Sequence, residues 1–178
     1  AGTTVEISFV QFITSIGTYL DSPFHFNPDG ATIDRLDLHQ LVLPGLVIRV
    51  EGAQPRQPLG PELLAGHDIA GKAVLLDTGW SAYWGQPQYY EHPFVTAELA
   101  VALRDQGARL LGCDLLLADD PEDAHRPVHV TLLNANVPIV ENLTRLDQIP
   151  PGPFTFHAVP AKICGAAAFP VRAYAVVE

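Results

Sequence analysis

The sequence predicts an α/β domain with a mixed sheet and flanking helices, on three observations. Short apolar runs rich in Val, Ile and Leu recur along the chain, two capped segments with helical spacing fall between them, and no repeat or low-complexity tract divides it. At 178 residues, 48% hydrophobic and 17% charged, the chain can bury a substantial core as one domain over residues 1–178.

Residues 3–12 alternate Val5, Ile7 and Phe9 with Glu6, Ser8 and Gln11, the period of a half-buried strand. That run starts almost at Ala1, so an upstream segment is expected to be missing. Residues 41–50 predict a strand, buried near its end after a break at Pro44 and Gly45. Residues 73–77 predict a short buried strand that stops at the turn Thr78–Gly79. The clearest helix is 96–106: Thr96 caps it, Glu98 lies in its first turn, Leu99 and Leu103 share a face, and Gly107 ends it. Residues 109–112 predict a strand leading into Cys113 and Asp114. Pro127 opens a second helix with Val128, Leu132 and Leu133 on its apolar side. Strands at 137–140, 154–159 and 171–177 complete the pattern, and the Pro/Gly-rich pieces at 52–61 and 150–153 read as loops.

With 20 acidic against 10 basic residues, the formal charge of −10 disfavours nucleic acid and anionic membranes as partners. Only Cys113 and Cys164 are present, so a reduced compartment is the simpler reading. No run approaches the roughly 18–20 apolar residues of a spanning helix, and no basic-then-apolar leader opens the chain. The expected location is the cytoplasm.

Asp21 and His25 in the opening loop, His129 on the second helix and Glu141 at a strand end form the one constellation with chemical meaning. Asp, His and Glu together suit a borderline divalent ion such as zinc or manganese. A second imidazole beside such an ion serves as general acid or base. On spacing alone the plainer readings are favoured: a turn residue at Asp21, a core histidine at His129, a surface charge at Glu141.

The run Ser15-Ile16-Gly17-Thr18-Tyr19-Leu20-Asp21-Ser22-Pro23-Phe24-His25 resembles the signature H-x-G-T-H-x-D-x-P-x-H of the cyclase family. These are metal-dependent amide hydrolases that include bacterial kynurenine formamidase and isatin hydrolase. Asp77-Thr78-Gly79-Trp80 resembles the family's T-G-W segment, and Gly112-Cys113-Asp114 its G-x-D. Residues 129–143 are similar to its H-x-x-L-L…I-x-E-N-L block, and Pro170-Val171-Arg172-Ala173 matches its closing P-V-R-A. The resemblance runs from about residue 7 to 177 in the family's order.

The resemblance implies a swivelling β/β/α fold, one divalent ion (zinc or manganese), and a homodimer or homotetramer, for which the aromatic, Pro-rich surface at 83–94 is a candidate contact. It also implies Asp21, His129 and Glu141 as metal ligands and His25 as the proton shuttle. Ser15 and Tyr19 stand where the family has its first two histidine ligands. A phenol, with a reference pKa of about 10, ligates poorly near neutral pH. Tyr19 is therefore expected to donate a hydrogen bond to a substrate carbonyl, and Ser15 to hold a water on the substrate side. Trp80 and Trp84, with Tyr83, are candidates to wall an aromatic-binding pocket, against simple packing.

Among other residues, His92-Pro93 reads as structural, and 119–123 as a solvated acidic turn. Cys113 is no nucleophile candidate, since no basic partner is near in sequence. The leading expectation is a hydrolase of a C–N bond in a small amide, formamide or cyclic amide. Two alternatives stay open: a metal-free cyclase, dehydratase or isomerase using His25, Asp21 and Tyr19, and a non-catalytic small-molecule binding protein.

Overall fold

A computed structural model describes residues 4–177. The strands and helices, in chain order, are β1 (Tyr19–Asp21), β2 (Val42–Arg49), β3 (Pro58–Leu59), β4 (Ala73–Asp77), β5 (Phe94–Val95), α1 (Ala97–Asp105), β6 (Leu110–Cys113), α2 (Pro127–Asn134), β7 (Ile139–Glu141), β8 (Phe154–His157), β9 (Ala168–Pro170) and β10 (Tyr174–Val177). Eight strands form a mixed sheet in the order β10-β8-β2-β4-β6-β7-β1-β9, and β3 pairs with β5 apart from it. The four central strands β2, β4, β6 and β7 run parallel. Antiparallel pairs extend the sheet at both sides.

Period-two alternation divides the strand residues between two cores. Val74, Leu76, Leu111, Cys113 and Ile139 face α1 and α2, which contribute Leu99, Leu103, Leu132 and Leu133. Ala73, Leu75, Leu110 and Val140 face the other way, with Leu20, Leu43, Leu146, Phe154 and Phe156. Both α-helices thus cover one face. Helix α1 starts as expected, with the Thr96 hydroxyl accepting from the Leu99 amide at 3.2 Å, and Gly107 follows it at φ +81°.

The structure corrects three expectations. Residue 3 lies outside the described residues, and residues 4–12 form no strand; Val5, Ile7 and Phe9 are 75–90% exposed. The place beside β1 is taken instead by β9, paired with Tyr19 opposite Pro170. Pro44 and Gly45 do not break β2. They mark where it changes partner, from β8 over Val42 to Pro44 to β4 over Gly45 to Arg49. Proline has no N–H to give to a ladder, so the switch falls where the loss costs least. Asp21 ends a strand rather than lying in a loop.

The turn after β4 is tied to the end of β6. Asp114 accepts from the Thr78 amide at 3.1 Å and the Thr78 hydroxyl at 2.7 Å, so the T-G-W and G-x-D segments meet as one buried joint. Gly79 follows at φ +72°, a conformation glycine adopts without steric cost.

Candidate metal centre

Strand pairing sets the first two groups. In the β1–β7 register Tyr19 lies opposite Glu141 and Asp21 opposite Ile139. Tyr19, Asp21, Ile139 and Glu141 therefore share the sheet face that carries the helices, while Leu20 and Val140 point into the other core. Helix α2 lies over this face and brings His129 in its first turn. Asp21 and Glu141 are fully buried and His129 is 2% exposed. One donor atom from each of the three lies within 4.8 Å of the others.

The His129 Nε2 is 3.6 Å from Asp21 Oδ2 and 3.4 Å from Glu141 Oε1. Those separations are long for hydrogen bonds. They match the edge of a tetrahedron of ligands, about 3.3–3.4 Å for metal bonds of about 2.0–2.1 Å. Glu141 is held by the Ala118 amide on Oε1 at 2.7 Å and by the Tyr19 hydroxyl on Oε2. Asp21 has no such support: among the described residues neither of its buried carboxylate oxygens has a hydrogen-bond partner. A buried, unpaired carboxylate is costly without a compensating positive charge. The donor set fits a divalent ion held by Asp21, His129 and Glu141.

The protonation pattern has the same cause. Burial pushes the Glu141 carboxyl up, with Asp21 adding to it and His129 opposing, to about 7. Burial alone would lower His129, but Glu141, the hydrogen bond to Asp119 and Asp21 outweigh it and raise the imidazole to about 10. Burial, then Glu141 and Asp21, lifts the Tyr19 phenol well above its ordinary value. Without an ion, Tyr19 is therefore a neutral hydrogen-bond donor to Glu141.

His25 sits in the 3₁₀ turn Pro23–His25, its side chain 35% exposed and its Nε2 3.7 Å from Asp21 Oδ1. The Phe26 ring packs against both imidazoles, edge-on to His25 at 5.0 Å and tilted to His129 at 5.1 Å, and the two imidazoles meet edge-on at 6.2 Å. Ser15 is half-buried in a bend upstream of β1. Trp80 is 2% exposed in the helix-side core and donates its indole N–H to the Tyr89 carbonyl at 3.3 Å, so it packs and does not wall a pocket. Trp84, 58% exposed, lines a cavity of about 360 Å³ with Thr18, Ser81, Asn142 and Leu143. None of the three buried acid and imidazole groups lines that cavity; it adjoins them through Thr18 beside Tyr19 and Asn142 beside Glu141.

Two buried residues escaped the sequence reading. Asp119, fully buried, accepts from His129 Nδ1 at 2.5 Å, although 119–123 reads as a solvated turn. Five acidic or turn-forming residues in a row conceal the one that points inward. Asn142, at φ +56°, accepts from the Tyr89 hydroxyl at 2.8 Å and, through its carbonyl, from Thr18 at 2.6 Å. Its place directly after Glu141 was the available signal.

An α/β fold with a buried Asp–His–Glu cluster defines a candidate metal-site protein. The chain belongs to the putative cyclase family, whose sequence signature matches residues 3–120. It is 31% identical over 172 residues to a kynurenine formamidase of Geobacillus thermodenitrificans, covering 96% of this chain and 79% of that one. The kynurenine formamidase of Bacillus cytotoxicus is 32% identical over 173 residues, with the same coverage. Among solved structures, isatin hydrolase A from Labrenzia aggregata superposes with a TM-score of 0.82 at 27% identity, over 90% of this chain and 72% of that one. A protein described as a potential metal-dependent hydrolase with cyclase activity gives 0.82 at 31% identity, over 96% and 83%.

Proposed function

We propose that this protein hydrolyses a C–N bond in a small amide, formamide or cyclic amide, with one divalent ion, zinc or manganese, held by Asp21, His129 and Glu141. The observation that carries the reading is the Asp21 carboxylate, fully buried, with neither oxygen hydrogen-bonded among the described residues and with Oδ2 facing His129 Nε2. The formamidase and isatin hydrolase relatives support the bond type. A bound divalent ion supplies Lewis acidity to a carbonyl oxygen and acidifies water.

His25 is the acid/base group: half-exposed beside Asp21, it takes a proton from water and returns it to the leaving nitrogen. Tyr19 has its proton engaged by Glu141, so its first task is to hold that carboxylate; it turns to a substrate oxygen only by releasing that bond. The Trp84 cavity takes the body of the substrate, and Ser15, two residues before Gly17 of its lining, is the proposed neighbour of the substrate. No helix among the described residues is long and apolar enough to cross a membrane, and a small molecule is the partner this site suits. A second copy of the chain is the proposed macromolecular partner, covering the apolar residues exposed at positions 5–13.

Elemental analysis of the purified protein, with turnover of an N-formyl aromatic amine and a lactam, tests the reading. Near-stoichiometric zinc or manganese, and activity lost to a chelator and restored by the ion, are expected. Full turnover by metal-free protein would replace this reading with the acid/base alternative, and binding without turnover would make it a receptor.

A further inference from the structure

Helix α2 lacks a cap of its own. Its N-cap residue, Arg126, is left-handed (φ +51°) and offers no side-chain acceptor. The free amides of the first turn are satisfied from another loop: Asp119 Oδ1 accepts from Val128 at 2.6 Å and Oδ2 from His129 at 3.2 Å. The same Oδ2 accepts from the ring Nδ1 of His129 at 2.5 Å. One buried carboxylate thus fixes both the backbone and the imidazole of this residue. Directly before it, the Ala118 amide holds Glu141 Oε1 at 2.7 Å. The dipeptide Ala118–Asp119 therefore brackets two of the three acid and imidazole groups.

The bracket is anchored on its far side. The Ala118 carbonyl accepts from the Val95 amide at 2.8 Å, Arg56 bonds Asp120 Oδ1 at 2.7 Å, and Arg126 bonds the Asp120 carbonyl at 2.8 Å. Bending the loop would break these bonds together, so the carboxylate cannot drift from the ring without disturbing the fold.

We infer that Asp119 is a positioning residue: it holds His129 with Nδ1 as the hydrogen-bond donor, so that Nε2 is the atom presented to Asp21 and Glu141. An imidazole binds an ion through one nitrogen only when that nitrogen carries no proton, and the partner of the other nitrogen decides which it is. With Nδ1–H engaged by Asp119, Nε2 is the nitrogen that gives up its proton for an ion. This rests on the metal site proposed above, but the ring orientation does not.

Asp119→Asn separates positioning from capping. The amide retains one oxygen to accept from the α2 amides, but its NH₂ meets Nδ1–H as donor against donor, so the ring is driven to turn or to move its proton. The first measurement is proton and nitrogen NMR of His129 in metal-free protein. The wild type should show a far-downfield, slowly exchanging Nδ1 proton that Asp119→Asn abolishes. Its absence from the wild type would overturn the inference, whatever the metal does. The second is titration of metal-free protein with zinc and manganese chloride against a chelator. Asp119→Asn should weaken binding about 10- to 100-fold, and the effect should vanish in a His129→Ala background. An equal loss in that background, or unchanged affinity beside a lowered Tm, would reduce Asp119 to a helix cap. A wild type with the downfield proton but no affinity for either ion would sink the metal reading and leave the positioning intact.

Discussion

Asp21 has no hydrogen-bond partner among the described residues, and its charge is met by the raised His129 imidazole 3.6 Å away. Asp21→Asn leaves that imidazole without one of its buried counter-charges. The metal-free variant should be less stable than metal-free wild type in urea denaturation, and the thermal shift on adding zinc or manganese should disappear. A variant that still binds the ion with wild-type affinity would show that Asp21 is not a ligand. His25, half-exposed, contributes little packing. His25→Ala should cost about 10²–10⁴-fold in turnover with an unchanged Tm, and an unaltered rate would remove it from the mechanism. Without the ion, Glu141 at about 7 and His129 at about 10 both lie above their ordinary values of 4.5 and 6.5. Groups raised on folding contribute stability that is present at low pH and lost as pH rises through the folded values. Metal-free protein should therefore lose stability between about pH 5 and 10, and the metal-induced rise in Tm should widen over the same interval. A shift independent of pH would mean that the ion does not contact these two groups.

At the scale of elements, the parallel centre of the sheet and both α-helices were legible because they follow local rules. Residues 73–76 are an unbroken apolar run, Thr96 and Gly107 bound α1, and Pro127 opens α2. Strand β1 was not legible. Its three residues have no period to read, and they are extended because β7 and β9 pair with them from either side. Asp119 was hidden for a related reason: whether an acidic residue in a loop turns inward depends on a helix N-terminus nine residues later. The Pro44–Gly45 pair shows the reverse error, a local turn signal overridden by the sheet. Gly45 is needed there for space, since a Cβ would overlap the Phe154 ring. Gly45→Ala should destabilise the protein by about 1–3 kcal/mol, read from urea denaturation. A neutral result would show that β8 shifts freely against β2.

At the scale of the whole molecule, an apolar surface is left uncovered among the described residues. Val5, Ile7, Phe9, Val10 and Ile13 are 68–90% exposed, and Phe12 in the same stretch packs on the Phe169 ring at 5.8 Å. The sheet edge at β10 adds Tyr174, Val176 and Val177, each about half exposed. The alternation at residues 5–9 is that of a half-buried strand, so the sequence specifies a strand that folding of one chain does not complete. Covering each such side chain contributes about 1.5–3 kcal/mol, against an association cost of roughly 4–15 kcal/mol. Three or four buried side chains contribute about 4.5–12 kcal/mol, which reaches the middle of that cost but not its upper end, and main-chain hydrogen bonds of an added strand supply the remainder. A second copy supplies both together. Light scattering should give the mass of a dimer or higher oligomer for the wild type, and Ile7→Glu with Phe9→Glu should shift it to the monomer while circular dichroism stays unchanged. A wild type that is monomeric at micromolar concentration would remove this segment as an interface, and a double variant that keeps the oligomer would place the contact elsewhere, with the aromatic stretch at 83–94 the next surface to substitute.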